Sequence, residues 1–236
     1  MINEILIKLN EFSEKNYAEF SKKLIPDTSY PILGIRVPKL KSYAKSIVKC
    51  DKLSQAFLRD KHLYYEEYFL HALIIAYKFK DLNQALKELN AFLPHIDNWA
   101  ICDSFALALK IFKNNPDEVY NQVKIWLKSD KPYVVRFGVV VCLGYFLDEN
   151  FTPNVLDLIK NVKSDNYYVN MSIAWFLSVA LVKQYESTAM LIENKVFPKF
   201  IHNKAIQKAI ESFRISSDKK DHLKLLKIKQ TKGENL

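Results

Sequence analysis

The stretch Ile96-Asp97-Asn98-Trp99-Ala100-Ile101-Cys102-Asp103 decides how this chain is read. On a helix, Trp99 and Asp103 stand one turn apart, so an indole and a carboxylate share one face of an otherwise apolar segment. Two later stretches repeat the plan. Asp130 precedes Lys131-Pro132-Tyr133-Val134-Val135-Arg136-Phe137-Gly138, and Asp165 precedes Asn166-Tyr167-Tyr168-Val169-Asn170-Met171-Ser172-Ile173-Ala174-Trp175. Asp97, Asp130 and Asp165 each suit an N-cap, because a short acidic side chain accepts from the orphan N–H groups of a first turn. Six residues beyond them stand Asp103, Arg136 and Met171, and one turn beyond Met171 stands Trp175. The same face of three successive units therefore presents Trp99 with Asp103, then Arg136, then Trp175.

Working outward, apolar helices are expected to begin near Tyr64, Asn98, Pro132, Asn166 and Asn203, at steps of 34, 34, 34 and 37 residues. Shorter amphipathic helices fall between them over 82–93, 116–127, 153–162 and 186–193. Two helices per unit at this period predict an all-α, HEAT-like helical-repeat α-solenoid. Such a superhelix presents one concave surface, here a basic groove lined by the aligned helices. Only four glycines in 236 residues argue further against a strand-and-turn architecture. Residues 1–236 are read as a single domain.

Ahead of the repeats, residues 2–25 read as one amphipathic helix through Ile5, Leu9, Phe12, Phe20 and Leu24. Pro26 and Pro31 end it, and Pro38 starts a basic helix with Lys39, Lys41, Lys45 and Lys49. This helix is the first candidate for phosphate contacts, with Lys39 and Lys41 foremost; the alternative is a solvated lysine face over Leu40, Tyr43 and Ile47. At the other end Lys204, Lys208 and Arg214 are expected on the last aligned helix, extending the face beyond Trp175 with positive charge. The tail 231–236, which includes Lys232, is expected to fray.

The chain carries 35 Lys and Arg against 26 Asp and Glu, a net charge of +9, which favours a polyanionic partner. Cys50, Cys102 and Cys142 form no CxxC pair and are odd in number, so neither a disulfide framework nor a zinc site is expected, and a reducing cytoplasm fits. Cys102 points about 100° away from Asp103 on a helix and reads as a small buried hydrophobe. His62, His71, His95, His202 and His222 lack the spacing of a helical metal site, and Gly-rich phosphate loops, HExxH and GxSxG are missing, so no metal and no cofactor are expected. The N-terminus has no basic region leading into an apolar core, and the run 134–147 is broken by Arg136, so neither an export signal nor a membrane span is expected.

One carboxylate, one guanidinium, two indoles and the phenols Tyr133 and Tyr168 suit phosphates and sugars. A lone carboxylate carries a reaction when the transition state is cationic. Breaking an N-glycosidic bond builds oxocarbenium character on the sugar, which Asp103 is placed to stabilise while orienting water. Each residue has a plainer alternative: Trp175 as core, Asp103 as a structural partner of Arg136, and Trp126 as core.

Taken together, Ile32-Leu33-Gly34-Ile35-Arg36-Val37-Pro38, Asp97-Asn98-Trp99 with Asp103, Val135-Arg136-Phe137, Tyr167 through Trp175 and Asn203-Lys204-Ala205-Ile206 resemble the DNA alkylation repair family of HEAT-like DNA glycosylases, the AlkD type. The resemblance spans nearly the whole chain. It implies removal of cationic N3- or N7-alkylated purines from double-stranded DNA, by a monomer that is nucleoid-associated when bound. It places a sugar-contacting cradle on Trp99, Asp103 and Trp175 as catalytic residues, with Arg136 holding the DNA backbone. Two departures stand out, because family members often carry basic residues at the positions of Met171 and Ser178. A non-catalytic solenoid that binds DNA structures or a protein partner is the rival expectation.

Overall fold

The computed structural model describes residues 2–229; the expected frayed tail 231–236, with Lys232, lies outside the described residues. The helices are α1 (Ile2–Phe12), α2 (Lys15–Leu24), α3 (Val37–Ile47), α4 (Asp51–Arg59), α5 (Tyr65–Lys78), α6 (Leu82–Phe92), α7 (Trp99–Ala108), α8 (Pro116–Trp126), α9 (Pro132–Tyr145), α10 (Pro153–Lys160), α11 (Tyr167–Lys183), α12 (Tyr185–Glu193), α13 (Lys199–Ile210) and α14 (Ser217–Leu225). Short 3-10 turns follow α6 and α7, and no strand occurs among the described residues. The chain divides into two compact units between Asn115 and Pro116. In each, the long apolar helices pack in chain order, α3–α5–α7 in the first and α9–α11–α13 in the second, with shorter helices against them. This alternation is compatible with a helical-repeat solenoid.

The first unit is built on α5, which buries Phe69, Leu70, Leu73, Ile74 and Ile75 almost completely and packs on α3, α4, α6 and α7. Its N-terminus is closed by Glu67, whose Oε2 accepts the Leu63 and Tyr64 N–H groups at 2.9 Å each. The single helix expected over 2–25 is instead α1 and α2, interrupted at Ser13 and Glu14. There the Glu14 N–H donates to the Gly34 carbonyl at 2.9 Å, so a segment twenty residues on captures the donor that a continuous helix would use. Gly34 itself is held from its other side, its N–H donating to Glu66 Oε1 at 2.7 Å. Leu33 and Ile35 N–H groups also donate to the Glu66 carboxylate, at 2.9 and 3.2 Å. The buried Glu66 thus collects three main-chain donors, and it offsets part of the cost of its own burial this way.

The second unit is built on α11, packed against α9, α12 and α13, with α8 on α9 and α14 on α13. Trp126 is core, as expected, 2% exposed and edge-on to Phe137 at 5.0 Å. The Asp N-caps are corrected by one residue at all three starts, and at two of them an Asn side chain makes the cap. Asn98 Oδ1 accepts the Ile101 N–H at 3.0 Å, and Asn166 Oδ1 accepts those of Tyr168 and Val169 at 2.9 and 3.2 Å. At the third, Lys131 occupies the cap without a side-chain bond and Pro132 takes the first turn, where its missing N–H costs nothing. The last long helix begins at Lys199 rather than near Asn203, directly after Pro198, whose ring-fixed φ of -52° already suits a helix start.

In the first unit His62 Nε2 and His71 Nδ1 lie 2.7 Å apart, with His62 stacked on Phe57 and His71 on Phe92 at 4.6 and 4.3 Å. Burial pushes His71 down to about 3, with His62, His95 and Arg59 adding to it, and burial also lowers His62, against Glu67 and Asp60. The unfolded chain titrates these groups near 6.5. Stability is therefore complete above that pH and is lost as pH falls from 6.5 toward 3, because only the unfolded state takes up the protons. Unfolding free energies measured across this window should fall more steeply for the wild type than for His71→Phe, which keeps the ring stack; equal slopes would exclude His71 as the source.

Candidate active site and nucleic-acid interface

In the first unit Asp103 lies half-buried on α7 at the wall of an open cleft of about 750 Å³. Lys41 and Lys45 reach it from α3, Tyr77 from the end of α5, Lys80 from the following turn, and Lys110 from the 3-10 turn after α7. Four lysines to one carboxylate make this lining strongly positive, and Asp103 carries the one negative charge among the described residues that line it. Lys45 Nζ lies 5.9 Å from the centre of the Tyr77 ring, whose phenol is pushed up by burial. Neighbouring Lys78 is engaged elsewhere, bonded to Asp51 and Ser54. The cleft can therefore take phosphate oxygens beside a carboxylate.

Trp99 opens α7 one turn before Asp103, but its side chain has its own anchor. Its Nε1–H donates to the Leu24 carbonyl at 3.0 Å, and it is not among the residues lining the cleft. The loop after α2 is latched to the same helix start, where the Asp97 carboxylate accepts from Thr28 Oγ1, Ser29 N and Ser29 Oγ at 2.7 to 3.1 Å. That engagement explains why Asp97 is not the cap. Lys39 is separated from Lys41: its ammonium lies 4.5 Å over the Phe12 ring, toward α1, while Lys41 and Lys45 share the cleft face. Tyr77, Lys80 and Lys110 join the site from outside the sequence candidates, while Lys45 comes from the basic helix already expected to meet phosphate. The i+7 spacing of Lys110 from Asp103 is the signal that could have found one of them. Cys102, next to Asp103, is fully buried as expected.

In the second unit Trp175 is half-buried on α11 and lines a depression of about 270 Å³ with Ser178, Lys208 and Arg214. The expected neighbourhood of Trp175, Lys208 and Arg214 is thus found, with one correction. Arg214 does not lie on the last long helix, which ends at Ile210, but in the turn after it, its N–H donating to Ser212 Oγ at 3.2 Å. Ser178, where a basic residue was the family expectation, turns its hydroxyl back to the Trp175 carbonyl at 2.7 Å. Lys204 lies one turn before Lys208 with Nζ 3.2 Å from Gln207 Oε1.

Arg136 is 6% exposed, and its Nη1 donates to the Tyr168 carbonyl at 2.6 Å. A buried guanidinium on α9 therefore fixes the first turn of α11. Tyr133 and Tyr168 stand beside this tie with ring centres 5.8 Å apart, and Tyr168 continues through Tyr167 to Phe200 at 5.3 and 5.8 Å. Tyr167 is 56% exposed, so the row of rings reaches solvent. Burial raises the Cys142 thiol to about 12, which leaves it a core residue rather than a nucleophile. Among the described residues no group of three or more His, Cys, Asp or Glu is placed to hold a metal, and no helix is long and apolar enough to cross a membrane.

A comparison with curated proteins returned no significant match. The family description "DNA alkylation repair enzyme" matches residues 5–209, running through both units and including every candidate residue named above except Arg214. A match over that length, on an all-helical chain with a carboxylate in a lysine-lined cleft, means that this chain belongs to the DNA alkylation repair enzyme family.

Proposed function

We propose that this protein is a monofunctional DNA glycosylase that hydrolyses the N-glycosidic bond of cationic N3- or N7-alkylated purines in duplex DNA. The observation that carries this reading is Asp103 at the wall of a cleft whose other charged lining residues are lysines, a setting that draws in phosphates and brings a single carboxylate to the sugar. As the C1′–N bond breaks, its electron pair goes to the base and neutralises the alkylated ring, so no general acid is needed. Positive charge moves onto the sugar, Asp103 stabilises it, and a water it orients adds to C1′ and releases a proton, leaving an abasic site. Trp99, one turn before Asp103 on α7, offers an indole surface to the cationic sugar, and Trp175 in the second unit offers a further indole surface to the DNA. Lys39, Lys41, Lys204, Lys208 and Arg214 take phosphates, and Tyr133 and Tyr168 pack along the backbone, set in place by Arg136.

The direct test is release of N7-methylguanine from a purified alkylated duplex, read as free base and as new abasic sites. Release supports the reading. Binding without release at any protein concentration would support the non-catalytic alternative, which the Met171 and Ser178 positions favour. Binding itself should weaken steeply with added salt. Replacing Lys41 and Lys45 together by Ala should reduce the slope of log affinity against log salt by about 2, one for each phosphate no longer neutralised. Anisotropy titrations at several salt concentrations check this, and an affinity indifferent to salt would point to a protein partner instead.

A further inference from the structure

Phe213 is the most exposed large apolar side chain of the described residues, 101% exposed at the tip of the turn between α13 and α14. An isolated exposed apolar residue needs no explanation, but this one is held out by its surroundings. On one side the Ser212 N–H donates to the Ala209 carbonyl at 3.0 Å and Ser212 Oγ accepts the Arg214 N–H at 3.2 Å. On the other, Ile215 is buried in an apolar cluster with Leu181, Ile192, Ile206 and Leu223. The turn is therefore anchored on both flanks, and the ring stands clear of the surface on which it could collapse. Arg214, the next residue, lines the same depression as Lys208, Glu211 and Trp175, two cations to one carboxylate. A cation thus adjoins an apolar point held on both flanks.

We infer that Phe213 is a wedge that enters the minor groove and partly unstacks a base step when duplex DNA is held by Lys208 and Arg214, an inference that rests on the DNA-binding reading above. A narrow turn tip suits the minor groove, about 6 Å wide, better than a helix does. An apolar side chain inserted there trades the exposure of the ring for contact with the bases and bends the duplex. Phosphate contacts on Arg214 and Lys208 fix the register at which the ring meets the stack.

The experiment uses the full chain and an unmodified duplex with 2-aminopurine at each step in turn, so that it does not depend on base release. The wild type should raise the fluorescence at one step. Phe213→Ala should lose that rise and bind about tenfold more weakly, while Phe213→Leu keeps most of both, and all three should unfold at the same denaturant midpoint because the side chain makes no native packing. If the wild type binds the duplex in a salt-dependent way but Phe213→Ala matches it in affinity and fluorescence, the wedge is overturned and the DNA reading stands. If the wild type raises no fluorescence at any step, insertion is overturned even where Phe213→Ala binds more weakly. If the wild type does not bind duplex DNA at all, both inferences fall together.

Discussion

Asp103→Asn should lower base release from an N7-methylguanine duplex by about 100-fold or more, equivalent to about 2.7 kcal/mol of barrier, while duplex affinity holds or tightens. Asn keeps the shape of the side chain and removes its charge. In the ground state the positive charge lies on the alkylated base, and in the transition state it has moved to the sugar. A carboxylate beside the sugar therefore acts on the transition state more than on the bound substrate, which places the loss in kcat rather than KM. The surroundings strengthen the expectation. Lys41, Lys45, Lys80 and Lys110 line the same cleft, and without Asp103 their field opposes the developing cation. On the proposed reading the same four ammonium groups hold the duplex, and removing a negative charge near phosphates would not weaken that. Trp175→Ala should slow release less, and more for cationic lesions than for neutral ones. Single-turnover rates with saturating protein separate these effects, and equal rates for wild type and Asp103→Asn would falsify the mechanism.

Gly34→Ala should destabilise the protein by about 3 kcal/mol or more, at or above the upper end of what most single substitutions cost, because it combines strain at a special φ with a main-chain clash. Gly34 has φ +85°, which L side chains rarely adopt. An added Cβ would lie 2.4 Å from the Glu14 carbonyl oxygen and 2.5 Å from the Ala18 nitrogen, both main-chain atoms. Neither can swing aside as a side chain would, so the loop must move. Movement breaks the Glu14 N–H bond to the Gly34 carbonyl, which separates α1 from α2, and disturbs the three main-chain donors on Glu66, leaving a buried carboxylate short of partners. Urea unfolding should show a lower midpoint with an unchanged slope. A destabilisation below about 1 kcal/mol would mean that the loop yields without cost and that the close approach is not a structural requirement.

The long helices were legible because each must bury an apolar face against its neighbours, and that demand imposes a period that needs no knowledge of contacts. Starts near Tyr64, Asn98, Pro132 and Asn166 were expected, and α5, α7, α9 and α11 begin within one residue of them. The pairing of Trp99 with Asp103 on one helix, and the grouping of Lys208 with Trp175, could also be read in advance, from helical spacing in the first case and from the repeat in the second. Side-chain assignments that depend on remote main chain could not. Asp97 caps nothing because Thr28 and Ser29, 69 and 68 residues earlier, take its carboxylate. The indole of Trp99 is directed by the carbonyl of Leu24, and α1 ends where the carbonyl of Gly34 takes the Glu14 N–H. Arg136 was expected on the DNA face or paired with Asp103, yet it is buried against the start of α11, where the Tyr168 carbonyl accepts a hydrogen bond from it. By itself the sequence determined the helical class and the spacing of the long helices, since these follow from periodicity and composition. Which charged groups face solvent and which are spent on the fold was decided only in the tertiary structure, because a hydrogen bond is satisfied by whichever donor or acceptor folding brings within about 3 Å, however distant in the chain.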